Sequence, residues 1–147
     1  MALGLLSFVL GALMFWKASK SKNQSPEVGL VQGQFRPCGP KPNCVSSQAE
    51  ENSKYYVSPI TNDEVESIWG KLPGVLQEMG LRLMQKSEIY LHFTAQTPLM
   101  GFVDDVEVLY LKDKKEIHFR SQSRVGYSDL GANRKRVEKI KAMVTPH

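Results

Sequence analysis

The sequence predicts an α+β fold: strand, helix, four antiparallel strands, helix, in a curved sheet with both helices on one face. Three observations carry this. Apolar residues recur at two-residue spacing in four consecutive blocks between Leu81 and Arg120. They recur at three- and four-residue spacing in the segments just before and just after those blocks. The composition, 41% hydrophobic and 23% charged over 147 residues, is that of one globular domain with one core.

The chain divides into an apolar segment (residues 1–18), a polar tether (19–36) and the α+β domain (37–147). Ala2 to Trp16 carries no charge and is followed by Lys17, Lys20 and Lys22. Fifteen residues reach only ~22 Å as a helix, short of a ~30 Å hydrocarbon core, so a membrane span is marginal. No small-x-small cleavage site precedes the lysines, so an uncleaved membrane anchor or signal-anchor through residues 2–16 is expected rather than a removed leader. The tether is rich in Ser, Lys, Gln and Gly and offers few anchors for a core.

In the domain, the prolines and glycine between Pro37 and Gln48 predict irregular backbone. Tyr55, Tyr56, Val57 and Ile60 read as the first strand. Thr61 and Glu64 have capping-box spacing ahead of a helix whose buried stripe is Val65, Ile68, Trp69, Leu72, Leu76 and Met79. Pro73 predicts a kink or two short helices, and Gly80 a stop. Alternation then marks strands around Leu81–Lys86, Ile89–Ala95, Val106–Leu111 and Ile117–Arg120. The third is apolar on both faces, which predicts a central or doubly covered strand. Ser128 or Asp129 caps a last helix with the stripe Leu130, Val137, Ile140 and Val144, and Pro146 lies beyond it. The order is that of TATA-binding-protein-like and helix-grip folds, an analogy of topology that carries no function.

The net charge of +4 comes largely from lysines beside the apolar segment and on the last helix, a pattern of solvated faces. Nucleic acid is therefore not expected as a partner. Cys38 and Cys44 flank two prolines, and a short-loop disulfide in an oxidising compartment is expected, with two reduced thiols as the alternative. The three histidines show no metal-like spacing to them, so no metal and no cofactor is expected. The positive-inside rule pulls toward a cytoplasmic domain and the cysteines toward the periplasm or another exported compartment, and the second is preferred.

The densest polar chemistry lies in Phe119–Arg136. Arg120, Ser121, Ser123, Arg124, Tyr127, Ser128, Asp129, Asn133 and Arg134 are the candidate ligand-binding residues, since arginine forks and a glycine-bearing loop suit an anion. Asp104 and Asp105, adjacent on a strand, point to opposite faces and suit ion pairs with arginines such as Arg134 or Arg136, forming a polar network. Ser121, Ser123 and Ser128 sit in no nucleophile elbow, His92 and His118 read as solvated strand residues, and no catalytic set is assigned.

The blocks P-N-C-V-S-S-Q (Pro42 to Gln48), F-V-D-D-V-E (Phe102 to Glu107) and R-S-Q-S-R-V-G-Y-S-D-L-G-A-N-R-K-R (Arg120 to Arg136) resemble the domain-of-unknown-function family 1499, over nearly all of Arg36 to Val144. The resemblance implies bacterial or plastid proteins, often exported or membrane-anchored, and no agreed activity. No lipobox cysteine lies near the apolar segment, so the lipid-anchored form is not expected. The expected function is a non-enzymatic membrane-anchored envelope domain that binds a protein partner or a small anionic ligand. The alternatives are a small hydrolase or transferase with Asp104 or Asp105 as base and Arg124 as clamp, and an accessory subunit of a membrane complex.

Overall fold

The structure is a computed structural model that describes residues 2–98 and 100–145. Pro146 and His147 lie outside the described residues. In order, the elements are α1 (Ala2–Asn23), β1 (Leu30–Val31), β2 (Gln34–Phe35), β3 (Cys44–Ser46), β4 (Ile60–Thr61), α2 (Val65–Glu78), β5 (Arg82–Lys86), β6 (Tyr90–Gln96), β7 (Val103–Leu111), β8 (Glu116–Ser123) and α3 (Ala132–Val144). The class is α+β, with two antiparallel sheets among the described residues. The main sheet has the order β3-β8-β7-β6-β5, and β4 also pairs with β8.

β7 lies at the centre of this order and is buried from Asp104 to Tyr110, because both its faces are covered. One face carries Val106, Val108 and Tyr110 and, from its neighbours, Leu91, Phe93, Ile117 and Phe119; α2 and α3 bury it with Ile68, Leu72, Leu76, Val137 and Ile140. Trp69 stacks obliquely on Tyr110 at 5.5 Å. The other face is polar, with Asp105, Glu107, His92, Arg120 and Gln122 on it by alternation with the apolar residues. The end of α1 and the hairpin β1–β2 lie over this polar face.

Several local expectations are corrected. Cys44–Ser46, in the segment expected to be irregular, is an edge strand, because the last three residues before Ser47 are free of proline and pair with Arg120–Gln122 of β8. The strand expected at Tyr55–Ile60 shrinks to a bridge between Tyr56 and Ser46 and to Ile60–Thr61 in β4. Pro59 supplies no amide to a ladder and separates the two. Helix α2 runs unbroken through Pro73, carried by the burial of Ile68, Leu72 and Leu76 on one side.

The capping box does not form; Asn62 Oδ1 accepts the Glu64 amide at 3.0 Å instead. At the other end Gly80 takes φ +84, and Leu81 N reaches Leu76 O at 3.0 Å, the closure that a left-handed glycine permits.

Residues 19–36, read as a tether, pack in part against the sheet. The hairpin turns at Gln32 and Gly33, both at positive φ, the conformation that matches strand twist in a two-residue turn. Phe35 anchors it in a small cluster with Tyr90 and Leu109. At the end of α1, Ala18 and Ser21 are buried, and Ser21 Oγ accepts the Val103 amide at 2.7 Å. Val9, Leu10, Leu13, Phe15 and Trp16 are exposed. No helix among the described residues is long and apolar enough to cross a membrane.

Candidate functional site

The candidate residues of Phe119–Arg136 divide between the two faces of the sheet. On the helix face, Asn133 is fully buried at the start of α3 and uses its whole amide. Its Nδ2 donates to Asn43 O at 3.1 Å and Ser123 Oγ at 3.0 Å; its Oδ1 accepts from Ser121 Oγ and from Arg136, each at 2.6 Å. Arg136 also donates to Asp104 at 2.6 Å. This network bolts α3 to β7 and β8, and its hydrogen-bonding capacity is consumed internally.

Arg134 does not reach Asp104 or Asp105. It binds the carbonyls of Tyr56 at 2.7 Å and Lys54 at 2.8 Å, fixing the segment before β4. Asp129 accepts the amides of Gly131 and Asn133 at 2.9 Å each, and Ser128 Oγ accepts that of Leu130 at 3.2 Å, so both serve the start of α3. Tyr127 stands 72% exposed at the loop tip.

Arg120 and Arg124 belong to the other face. Glu107, 0% exposed, pairs with Arg120, 1% exposed, at 2.5 Å. The remaining carboxylate oxygen accepts from Tyr90 OH at 2.7 Å and from Gly29 N, in the N-terminal segment, at 2.8 Å. Arg120 also bonds Gln122 and Glu27 O, while its Nε has no partner among the described residues. Beside this pair, Arg124 grips Asp105 with two bonds of 2.9 Å, and His92 Nε2 adds a third at 2.8 Å. Arg124 Nη1 donates to Gln24 O at 3.2 Å.

The electrostatics follow from this geometry. Burial by itself would raise the Asp105 carboxyl, but the hydrogen bonds and charges of His92 and Arg124 outweigh it and hold the group below the usual carboxylate range. The Tyr90 phenol is pushed far up, first by burial and then by the charge of Glu107. His92 and His118, expected as solvated, are buried because the N-terminal segment and the Ser47 loop cover their face; His118 lies 3.0 Å from Ser47 Oγ and 2.9 Å from Glu116.

A polar cavity of about 190 Å³ opens on this face. The sheet contributes Asp105, Arg120, Gln122 and Arg124, the N-terminal segment Gln24, Ser25 and Glu27, and the loop closed by the Cys38–Cys44 disulfide Gly39, Pro40 and Lys41. Its lining holds the cations Lys41, Arg120 and Arg124 against the carboxylates Glu27 and Asp105. Among the described residues, no group of His, Cys, Asp and Glu is placed to hold a metal ion.

Glu107, Tyr90, His92, Gln122 and Lys41 were not among the candidates. One signal for the first was present: Asp105 and Glu107 at i, i+2 on one strand face Gln122 and Arg120 at i, i+2 on the next once the strands are antiparallel, with Arg124 just past that strand's end.

These features define an α+β domain with a helix-covered apolar sheet face and a polar face that keeps a small charged cavity. The family described as protein of unknown function (DUF1499) matches residues 34–144, and the chain belongs to it. No curated protein matches the chain.

Proposed function

We propose that this is a non-enzymatic binding domain, held at a membrane by the apolar part of α1, that takes the acidic group of a small molecule into the cavity between the N-terminal segment and the polar sheet face. The observation that carries the reading is the cavity of about 190 Å³ bounded by Arg120, Arg124 and Lys41. Arg120 and Arg124 are paired with Glu107 and Asp105, and the Lys41 ammonium is the lining cation with no ion pair among the described residues. Arg124 is oriented in advance by its two hydrogen bonds to Asp105, so little side-chain entropy is lost when a carboxylate or phosphate binds. Asp105, kept ionised by Arg124 and His92, is a weak base, which favours binding over proton abstraction.

The disulfide supports an exported, oxidising compartment. The exposed apolar side chains around α1 support an anchor that inserts rather than lies amphipathically on the surface. The binding half is tested by titrating the full chain in detergent micelles with acetate and with inorganic phosphate, using ligand line widths. Saturable binding of at least one probe is expected, weakened about tenfold or more by Lys41→Gln or Arg124→Gln through loss of a charge-assisted bond. Binding unchanged by both substitutions would move the site elsewhere.

A further inference from the structure

The loop between β8 and α3 has a feature that the binding cavity does not use. Leu130 is 89% exposed and sits at φ +52, the left-handed region that leucine avoids, with Gly131 following at φ +80. A backbone held in that conformation projects a large apolar side chain into solvent, and Tyr127 projects beside it. The loop is rigidly built. Its polar groups are largely paired: Asp129 accepts the amides of Gly131 and Asn133, Ser128 Oγ accepts that of Leu130, Asp129 N reaches Pro42 O at 3.4 Å, and Asn43 Nδ2 holds Gly126 O at 3.1 Å. Moving the tip out of water therefore strands few polar groups.

Its position selects the partner. Met14 and Lys17, where the apolar part of α1 gives way to charge, line one open cavity of about 340 Å³ together with Phe102, Tyr127 and Leu130. Tyr127 and Leu130 thus stand level with the Trp16–Lys17 turn, the level at which tyrosine and tryptophan meet headgroups if α1 is inserted. Lys17 lines that cavity together with the carboxylate of Asp129, and Lys20 and Lys22 follow on α1, an excess of cations that suits anionic headgroups. The nearby Asp104 is neutralised by Arg136.

We propose that the loop Gly126–Gly131 is a second membrane contact, in which Leu130 and Tyr127 enter the interfacial layer of the bilayer that holds α1 and so fix the domain's tilt on the surface. The proposal rests on the membrane half of the reading above. It is tested with the full chain, its native disulfide closed, in vesicles of phosphatidylcholine and phosphatidylglycerol. Single nitroxide labels are placed by Val9→Cys, Leu130→Cys and Met143→Cys, and circular dichroism checks that each variant folds. Power saturation with oxygen and a water-soluble nickel chelate reads depth.

The expected result is a deep Val9 label, a Leu130 label ~5–10 Å below the headgroup boundary, and a Met143 label in water. A deep Val9 label with the Leu130 label in water, like that at Met143, overturns the loop contact and leaves the anchor standing. A Val9 label in water overturns the anchor and the loop contact together. Either outcome leaves the anion cavity to its own test.

Discussion

At the residue scale the buried Glu107–Arg120 pair is the most consequential interaction on the polar face. Arg120→Met strands a carboxylate that is 0% exposed, and a loss of about 3–5 kcal/mol in urea denaturation is expected. Adding Glu107→Gln removes the stranded charge but keeps an acceptor for Tyr90 and Gly29, so the double variant recovers most of that loss. The pH dependence has two limbs. Asp105 is held down, so its contribution is present above about pH 4, the unfolded carboxyl value, and fades as pH falls through the lower folded value. Tyr90 is held up, so its contribution is complete below about pH 10 and is lost as pH rises beyond that. Stability measured across pH flattens in acid for Arg124→Gln and in base for Tyr90→Phe. Of these residues, Arg120, Arg124 and Asp105 were legible in the sequence as a polar cluster. Tyr90 and His92 were not, because strand alternation says which residues share a face but not that a distant segment covers it.

Among the elements, the two helices and the four consecutive strands were readable because their signals are local, periodicity and the Gly80 stop. Helix α3 begins later than read, with Gly131 as its N-cap, Asp129 accepting the Asn133 amide from ahead of it, and Leu130, read into the buried stripe, left exposed outside the helix. Asp129→Ala removes two amide acceptors at the start of α3, and a loss of about 1–2 kcal/mol in thermal or urea unfolding is expected. The edge strand Cys44–Ser46 escaped reading because its pairing is with β8, more than seventy residues away, and prolines dominate the local sequence. Reducing the Cys38–Cys44 bridge, which closes a separation of only 6 residues, is expected to cost about 2 kcal/mol. It also loosens the Gly39–Lys41 rim, so probe binding weakens on reduction even at temperatures where circular dichroism shows the fold intact.

For the whole molecule, the sheet is a partition between two differently built interiors. One is an apolar core under α2 and α3; the other is a charged layer under the N-terminal segment, which carries the cavity. The candidate loop read as one site is in fact divided by this partition: Ser121, Ser123, Asn133 and Arg136 secure α3, and Arg120 and Arg124 face the cavity. Two-residue alternation imposes that division on any strand that carries functional residues in succession. The central claim, that the cavity receives an acidic group, is tested most directly by nitrogen-15 NMR of the arginine Nε–H resonances of the full chain in micelles during titration with acetate and inorganic phosphate. Saturable shifts at Arg120 and Arg124, with Arg134 and Arg136 unmoved, are the predicted result; equal, non-saturating drift of all four contradicts it.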